Sequence, residues 1–374
     1  MNILPVFKRK YYPLNRIEIS KEALLYNYHY LSKLSGLKIA PCLKSNAYGY
    51  GISIIGKIID EINPPFICVD SLYEAYELSK AKIKAHILIM GYISSISLQT
   101  KKLPYSFTVF NKETVDALNK YQPHAGIHIF VDTGMNREGI RLEELPEFLQ
   151  YIQNYTKLKI EGLMSHFAMS DKYDNPLTKQ QVALFEIAQK ITKDMGINIK
   201  WTHIANSSGI LNSKHYKGKL GNVARVGKAF YGYDSERLSN KLKPALELKT
   251  HIAQIKKLKK GEKVGYDFTY IASKDTKIAI LPIGYNDGVE RNLSNVGVVT
   301  IKGNECRIIG RVSMNITTID VNEVKNIRVG DEVTIYSNNP ALNNSIDKAA
   351  NLAKKITHEM LVHLVSSTKR IVVQ

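Results

Sequence analysis

This chain lacks the features typical of membrane-spanning and disulfide-bonded proteins. Its three cysteines, Cys42, Cys68 and Cys306, are an odd number without the spacing of metal ligands. No apolar run reaches the length of a transmembrane helix. The basic residues near the N-terminus follow a short apolar patch, which is the reverse of a signal peptide. We therefore expect a cytoplasmic protein that does not bind a metal ion or a membrane.

Acidic residues are scarce relative to basic ones. The chain of 374 residues has 34 Asp and Glu against 52 Lys and Arg, a formal net charge of +18. A polyanionic partner is one explanation of such a charge. However, the lysines are scattered along the chain, residues 256–260 form the one dense cluster, and no nucleic-acid-binding motif accompanies it. We favour a solvated basic face and expect no nucleic-acid partner.

Short apolar runs alternate with helix-like segments from residue 38 to residue 226. Helix formers with apolar residues at a 3.6-residue period occupy residues 72–81, 113–120, 142–155 and 178–195. Alternating strands and helices imply parallel pairing through right-handed crossovers, and eight such units close a barrel. The sequence predicts a (β/α)8 barrel with strands at residues 38–43, 66–70, 86–90, 107–110, 127–132, 160–165, 200–204 and 223–226.

Polar side chains able to do chemistry follow these strands. In a barrel of this kind the active site lies at the carboxyl ends of the strands, and a phosphate commonly binds after strands seven and eight. The sequence therefore predicts one site on this rim. Its residues are Lys44 and Tyr48 after strand one, Arg137 after strand five, His166 after strand six, Asn206 and Ser207 after strand seven, and Arg225 and Gly227 at strand eight.

The loop after the first strand has the composition of a sharp turn beside a ligand. The apolar run ends at Lys44, and Asn46, Gly49 and Gly51 follow, residues that let the backbone turn tightly. A lysine at the end of a buried strand is a candidate nucleophile, although an arbitrary lysine there more often extends to solvent. Ser207 alone would usually be a helix N-cap, and here we expect it to be both cap and phosphate donor.

After about residue 239 the pattern changes to the alternation of β-strands. Residues 245–253, 277–283, 296–301, 307–312 and 332–336 predict a mostly antiparallel β domain, followed by a helix from 345 to about 365 and a last short strand. Tyr266 lies in a glycine-flanked loop, where a tyrosine would more often be half-buried. The predicted domains are an N-terminal extension (1–15), a cofactor-binding barrel (16–239) and the β domain (240–374).

Several motifs in a fixed order resemble those of the alanine racemases, fold-type III enzymes that use pyridoxal 5′-phosphate. The resemblance runs from about residue 16 to residue 373. Each motif alone is weak evidence for this resemblance, but the occurrence of all of them in the same order makes the resemblance strong. They are KSNAYGYG at 44–51, VDTGMNR at 131–137, SHFA at 165–168, NS at 206–207, RVGKAFYG at 225–232, VGY at 264–266, GYNDG at 284–288 and GRVSM at 310–314.

The resemblance implies a racemase with two proton-exchanging residues and a small amino acid as substrate. Lys44 would bind the cofactor and exchange the α-proton on one face, and Tyr266 would exchange it on the other from the second subunit of a homodimer with shared sites. Pyridoxal phosphate would be bound by Lys44, Tyr48, His166, Asn206, Ser207, Arg225, Gly227, Lys228 and His358. The substrate would be bound by Arg137, Met314 and Tyr285.

Three positions depart from the pattern of the family. His358 stands where a tyrosine is common, Asn315 where an aspartate usually follows the methionine, and Phe130 where some members have a lysine that supports the substrate-binding arginine. The expected activity is interconversion of L- and D-alanine for peptidoglycan synthesis. The alternatives are a racemase of broader or different specificity, a non-catalytic carrier of the cofactor, and a decarboxylase. The β domain opposes the carrier and Arg225 opposes the decarboxylase.

Overall fold

The computed structural model of the chain describes residues 12–170, 172, 174–233 and 241–374. Strands and helices alternate in the first two thirds of this part of the chain, and strands predominate in the last third. The strands are β1 (Arg16–Ser20), β2 (Lys38–Pro41), β3 (Ile67–Val69), β4 (Ile87–Ile89), β5 (Ser106–Val109), β6 (Gly126–Asp132), β7 (Ile140–Arg141), β8 (Lys159–Met164), β9 (Trp201–His203), β10 (Val223–Val226), β11 (Leu246–His251), β12 (Gln254–Leu258), β13 (Lys263–Val264), β14 (Tyr270–Ile271), β15 (Thr276–Leu281), β16 (Val298–Ile301), β17 (Asn304–Arg307), β18 (Thr317–Asp320), β19 (Glu332–Tyr336) and β20 (Lys369–Val373).

Several helices begin at a side chain that accepts a hydrogen bond from the backbone of the first turn. Ser20, Ser71, Asn111 and Asn175 act in this way. Each cap satisfies an N–H group that the helix leaves without an internal partner. The helices are α1 (Lys21–Ser35), α2 (Lys44–Tyr48), α3 (Ile52–Asp60), α4 (Leu72–Lys80), α5 (Ser95–Leu98), α6 (Lys112–Tyr121), α7 (Leu145–Tyr155), α8 (Pro176–Asp194), α9 (Ser207–Leu211), α10 (Ile346–Ala353) and α11 (Thr357–Val362).

The eight predicted barrel strands are present and parallel. Strands β3, β4, β5, β6, β8 and β9 pair in that order, and β10 pairs with β2. Two backbone hydrogen bonds continue the ring between these sheets, from Arg225 N to Ala205 O at 3.0 Å and from Leu43 N to Cys68 O at 2.8 Å. The predicted fold class, a barrel followed by a mainly antiparallel β domain, is confirmed. Among the described helices, none is long and apolar enough to cross a membrane.

The chain divides into two compact units, and the division differs from the predicted one at the N-terminus. One unit comprises Ser20–Ala245 with Gln374, and the other joins the residues up to Ile19 to Leu246–Val373. Strand β1 pairs antiparallel with β11, so it belongs to a six-stranded sheet with the order β17-β16-β19-β11-β1-β20. The sequence analysis assigns residues 16–19 to the barrel. The sequence of a single strand does not indicate which strand it pairs with, which explains the difference.

Two predictions for the β domain are corrected by the structure. Residues 307–312 are not a strand, because β17 ends at Arg307. Gly310 adopts a φ of 71°, and a Cβ atom added at this position would crowd Val264. The predicted helix from 345 to 365 is two helices, α10 and α11. Helix α10 ends at Ala353, and its C-cap Lys354 adopts a left-handed φ of 56°.

Residues 12–15 of the predicted N-terminal extension contact the β domain. Asn15 Nδ2 donates to Pro282 O at 2.8 Å, and Thr250 Oγ1 donates to Asn15 Oδ1 at 2.7 Å. The ring of Tyr12 lies edge-on to that of His251, with 6.3 Å between their centroids. Residues 1–11, the rest of the predicted extension, lie outside the described residues.

A buried arginine and four more exposed charged side chains connect three strands of the six-stranded sheet. Arg16, which is 2% exposed, donates its Nε to Glu18 at 2.7 Å and pairs with Glu332 of β19. Lys249 of β11 pairs with Glu18 at 2.8 Å and with Glu247 at 2.9 Å. Removal of one charge from such a group leaves its partner buried and uncompensated, which costs more than the intact pair contributes.

We predict that Arg16→Ala lowers the free energy of unfolding by about 2–3 kcal/mol, because Glu18 and Glu332 lose a cation while Lys249 compensates in part. Urea denaturation followed by circular dichroism measures the change. Lys112→Ala is the control, since it removes an exposed ion pair with Glu147 (2.7 Å) and should leave stability almost unchanged. Equal losses in the two variants would contradict the assignment.

Candidate active site

Lys44 begins a turn of left-handed backbone, an unusual conformation for residues other than glycine. The φ angles of Ser45, Asn46, Ala47 and Tyr48 are 54°, 53°, 54° and 52°. Each such residue costs about 1–2 kcal/mol relative to the right-handed conformation. Strain of this kind persists only where the surrounding structure enforces it, and it concentrates at functional sites. The sharp turn expected after Lys44 is therefore present, in a more strained form than the sequence suggested.

Two side chains hold this turn in place. Asn46 Oδ1 accepts a hydrogen bond from Ile52 N at 2.8 Å. Glu74 of α4 accepts with one carboxylate oxygen from Asn46 N at 3.2 Å and with the other from Asp70 N at 2.8 Å. The carboxylate of Glu74 thus connects the turn that follows β2 to the end of β3. The sequence analysis did not identify Glu74, which lies in an ordinary helical pattern.

Three loops of the barrel rim meet around Tyr48. A Cβ atom on Gly227 would lie 2.2 Å from Tyr48 Oη, so a larger residue at this position would displace the phenol. Ser207 Oγ accepts a hydrogen bond from Ala229 N at 3.4 Å. Burial raises the pKa of Tyr48 above its ordinary value, so its hydroxyl keeps its proton at neutral pH. The loops after β2, β9 and β10 therefore bring two hydroxyl groups and a glycine backbone together.

The N-cap of helix α9 is Asn206, and the expectation that Ser207 caps this helix is wrong. Asn206 has an extended backbone, and its Oδ1 accepts from Gly209 N at 2.8 Å and from Ser170 Oγ at 2.9 Å. Ser207 is the first residue of the helix. Because its hydroxyl is not used as the cap, it can interact with the loop after β10.

Arg225 is buried in β10 and donates hydrogen bonds to four acceptors. Its Nη1 lies 2.6 Å from His203 Nδ1 and 2.8 Å from His203 O, and its Nη2 lies 2.6 Å from Ser165 O and 3.0 Å from His166 Nδ1. A guanidinium group has donors only, so the Nδ1 atoms of both histidines must be acceptors.

This arrangement fixes the protonation of the buried His128 and His203 and of the half-buried His166. His203 accepts at Nδ1, so its Nε2 carries the hydrogen and donates to His128 Nδ1 at 2.8 Å. Burial, followed by the positive charges nearby, lowers the pKa of His166 and of His128 to about 3 and that of His203 well below its ordinary value. All three imidazoles are therefore neutral at neutral pH.

Arg137 lies in a loop that is organised by one carboxylate. Asp132 Oδ1 accepts from the backbone N–H groups of Gly134, Met135 and Asn136 at 2.9, 3.0 and 3.1 Å. The side chain of Arg137 is 55% exposed and lies 3.4 Å from Glu138. Its charge contributes to the low pKa of His166, which indicates that the two side chains share the rim. Its guanidinium group is accessible to a ligand.

Sequence reasoning missed residues that support the rim from behind. Gln181 of α8 donates to His166 O at 3.0 Å and to Thr133 Oγ1 at 3.2 Å, and it accepts from Ala168 N at 3.0 Å. His128 and His203 were also missed as members of the site. A polar residue inside an otherwise apolar strand was the available signal for the histidines, and none existed for Gln181.

In the β domain, three predicted site residues lie on neighbouring loops and are exposed. The exposed fractions of Tyr266, Met314 and Tyr285 are 71%, 56% and 43%. Tyr285 N donates to Ser313 O at 3.0 Å, and an ion pair of 3.0 Å between residues 267 and 311 connects the loop of Tyr266 to the same segment. The half-buried packing that an isolated tyrosine would favour is therefore not found at Tyr266.

The departures from the family pattern have local explanations. Asn315 Nδ2 donates to Asp287 Oδ2 at 3.2 Å, so this amide stabilises the loop that contains Tyr285. Phe130 is buried in β6, and His358 is half-buried in α11. Lys228 lies two residues after the end of β10 and is half-buried. The roles of His358 and Lys228 in cofactor binding stay predictions.

A closed parallel barrel with a lysine turn and a buried arginine on its rim, followed by a β domain, defines a class of barrel enzyme. The model of the alanine racemase N-terminal domain matches residues 19–235, and that of the alanine racemase C-terminal domain matches residues 245–372. The chain therefore belongs to the alanine racemase family. The predicted family and enzyme class, an amino-acid isomerase, are confirmed.

Curated relatives and solved structures agree with this assignment. Alanine racemase 2 of Caldanaerobacter subterraneus is 33% identical and the alanine racemase of Halothermothrix orenii 34% identical, with 95% and 92% of this chain and 94% and 93% of the relatives covered. The alanine racemase of Bacillus anthracis with bound L-Ala-P is 29% identical with a TM-score of 0.87, and it covers 98% of this chain and 96% of its own. That of E. faecalis is 27% identical with a TM-score of 0.87, covering 97% and 99%.

We predict that Glu74→Ala destabilises the protein by about 2 kcal/mol, because two backbone N–H groups lose a charged acceptor and the left-handed turn loses its brace. Thermal unfolding in parallel with urea denaturation measures the loss. Glu77→Ala is the matched control, since Glu77 lies in the same helix and forms an ion pair with exposed Lys80 at 2.6 Å. A control that loses as much stability would show that Glu74 does not act through the turn.

Acid should destabilise the protein between pH 6.5 and pH 3. His128, His166 and His203 have pKa values lowered in the folded state, so the unfolded chain binds protons that the folded chain does not. The contribution of these histidines to the free energy of unfolding is therefore fully present above pH 6.5. It decreases as the pH falls, by about 1.4 kcal/mol per pH unit for each histidine.

Urea denaturation at a series of pH values tests this prediction. His128→Asn keeps an acceptor for His203 and removes one titrating group, so the slope should decrease by about one proton. His124→Asn is the control, because His124 is exposed with a φ of 67° that asparagine tolerates. A slope that His128→Asn leaves unchanged would contradict the assignment.

Proposed function

We propose that this chain interconverts L-alanine and D-alanine with pyridoxal 5′-phosphate held at the carboxyl end of the barrel. The observation that supports this most directly is the convergence of the Lys44 turn, the Tyr48–Gly227 contact and the Arg225–His166 pair on one rim. When bound, the cofactor supplies an electron sink for the pair of electrons left on the α-carbon. The chain's residues then determine where the proton goes.

The residues around Tyr48 suit a phosphate group. Tyr48 and Ser207 offer hydroxyl groups, and Gly227 lets the backbone approach closely because it has no Cβ atom to fill the space. Loops after strands seven and eight are the usual phosphate site of such barrels. Asn206, Lys228 and His358 are proposed as further contacts, and Lys44 as the residue that binds the cofactor covalently.

Arg225 is proposed to donate a hydrogen bond to the pyridine nitrogen without giving up a proton. A guanidinium group retains its protons at neutral pH, and two neutral histidines and two carbonyl groups orient this one. Arg225 would therefore supply no proton to the ring nitrogen of a bound cofactor, which would weaken the electron sink and limit transamination and decarboxylation. His166, neutral and oriented by Arg225, would lie beside the ring.

Racemisation requires a base on one face of the α-carbon and an acid on the other. We propose that Lys44 exchanges the proton on one face and the partner subunit's Tyr266 exchanges it on the opposite face. The exposure of Tyr266, Met314 and Tyr285 on neighbouring loops supports a role at a homodimer contact, since large apolar side chains grouped at a surface mark interaction sites.

The substrate is proposed to be bound through its carboxylate. Arg137 presents an accessible guanidinium group, which matches a carboxylate in geometry. Met314 and Tyr285 would complete this site from the partner subunit. We propose a cytoplasmic enzyme that supplies D-alanine for peptidoglycan. His358 and Asn315 are the positions where the chain departs from its family, so a broader substrate range would originate there.

Exchange of the α-proton in deuterated water tests the proposal, with added pyridoxal phosphate, L-alanine and L-lysine. We expect rapid exchange and racemisation of alanine, and losses of at least about 100-fold in Lys44→Ala and Tyr266→Phe, because each removes one proton-exchanging group. Tyr155→Phe is the control, an exposed tyrosine on the barrel helix α7. Preference for lysine would change the substrate but not the mechanism, and absence of exchange despite bound cofactor would favour the carrier.

Mixing the two inactive variants tests the shared site. A mixed dimer of Lys44→Ala and Tyr266→Phe has one intact site, so random exchange of subunits should restore up to about a quarter of wild-type activity. The formation of mixed dimers is verified with differently tagged chains. Verified mixed dimers without activity would mean that Lys44 and Tyr266 of one site come from the same subunit.

A further inference from the structure

The two ends of the barrel differ in charge. The amino-end face comprises the connections that enter the eight barrel strands, with the first residue of each strand. These connections surround one end of the barrel, opposite the rim that contains Lys44. They are residues 36–38, 61–67, 81–87, 99–106, 122–126, 156–159, 195–201 and 212–223.

The amino-end face concentrates lysines that are scattered along the sequence. It contains no arginine and a single carboxylate, Glu61, which pairs with Lys21 of α1 at 2.7 Å. Six of the eight connections contribute lysines, and all of these lysines are exposed. The eleven are Lys38, Lys82, Lys84, Lys101, Lys102, Lys157, Lys159, Lys200, Lys214, Lys217 and Lys219.

The opposite end of the barrel has no such excess of basic side chains, even with Arg225 and Lys228 at the end of β10 included. In the seven connections that lead from a barrel strand to a helix, the described residues include more carboxylates than basic side chains. A high lysine content of the whole chain would give both ends of the barrel an excess of lysine. The difference in charge between the two ends is therefore produced by the fold. The carboxylates are Asp70, Asp132, Glu138, Glu143, Glu144 and Asp174, and the basic residues are Lys44, Arg137, Arg141 and Lys172.

Stabilisation of the barrel itself does not account for these lysines. Lysines in the last turns of helices complement the helix dipoles, and separate residues such as Lys33, Lys80 and Lys193 already lie there. Among the eleven lysines, the ion pairs of the described residues include only that of Lys219 with Glu186 at 3.0 Å. The positive charge of this face is thus largely uncompensated.

A groove opens within the amino-end face between the connections that enter β2 and β10. Its volume is about 650 Å³, and Lys38, Lys214 and Lys217 line it together with Gly36 and Gly218. Lysine ammonium groups bind phosphate oxygens as point charges without geometric selectivity. The groove is therefore suited to a phosphate-bearing group at the edge of a larger anionic surface.

We propose that the amino-end face binds an anionic membrane surface through its ring of lysines. A linear nucleic acid would contact only part of a ring, whereas a planar surface can contact all of it. The large aromatic rings of the face are also not free to stack on bases, because Phe66, Tyr105 and Tyr216 are buried and the ring of Trp201 is flanked by Lys38 and Lys200. Clustered lysines are recruited by anionic lipids.

Sedimentation with lipid vesicles tests this proposal on the full chain. We expect binding to vesicles of phosphatidylglycerol and phosphatidylcholine in equal parts, loss of binding at high salt, and none to phosphatidylcholine alone. Each lysine near an anionic surface strengthens binding roughly five-fold. The variant with Lys101→Glu, Lys102→Glu, Lys157→Glu and Lys214→Glu should bind at least about 100-fold more weakly.

A matched variant separates this face from the net charge of the protein. Lys256→Glu, Lys257→Glu, Lys260→Glu and Lys274→Glu change four exposed lysines of the β domain, with the same change in net charge. This variant should keep most of the vesicle binding. Equal losses in both variants, or no binding by the wild type, would overturn the proposal, as would salt-sensitive binding to single- or double-stranded DNA without binding to vesicles.

Melting temperatures verify that each variant is folded. Lys→Gln substitutions at the same positions replace any variant that does not fold.

Discussion

The buried guanidinium group of Arg225 is the constraint on which the barrel rim depends. A cation enclosed in a barrel is tolerated only if it is well hydrogen-bonded, and here two carbonyl groups and two imidazole nitrogens accept from its Nη1 and Nη2 atoms. That requirement keeps His203 and His166 neutral and fixes which nitrogen of each carries a proton. The same requirement extends one residue further, to His128, which accepts the remaining hydrogen of His203. One charge thus sets the protonation of a whole layer of the interior.

Close backbone approach is the second constraint on the rim. Tyr48 occupies the space that a Cβ atom at position 227 would need, so only glycine fits there. The residues after Lys44 adopt a strained left-handed turn that hydrogen bonds of Glu74 and Asn46 stabilise. The strain is local, but the groups that offset it come from α3, α4 and the end of β3. A barrel whose strands are short and fully buried provides the rigid frame that such a turn needs.

The fold brings together lysines that are far apart in the sequence. Successive lysines of the amino-end face are separated by up to 55 residues along the chain, between Lys102 and Lys157, yet they surround one end of the barrel. At the other end carboxylates and basic side chains are balanced. The net charge of +18 is therefore unevenly distributed over the barrel, and this difference between the ends underlies the inference of a membrane-binding face.

The sequence by itself determined the barrel, the β domain and the family, because strand–helix alternation and ordered motifs are local patterns. It also directed attention to one rim, since polar residues follow the predicted strands. The tertiary structure alone decided the partner of β1, the ends of the strands around Gly310, and the choice of Asn206 as the cap of α9. It also revealed Glu74, Gln181 and the paired histidines. These features depend on contacts between residues far apart in the chain, which no local pattern records.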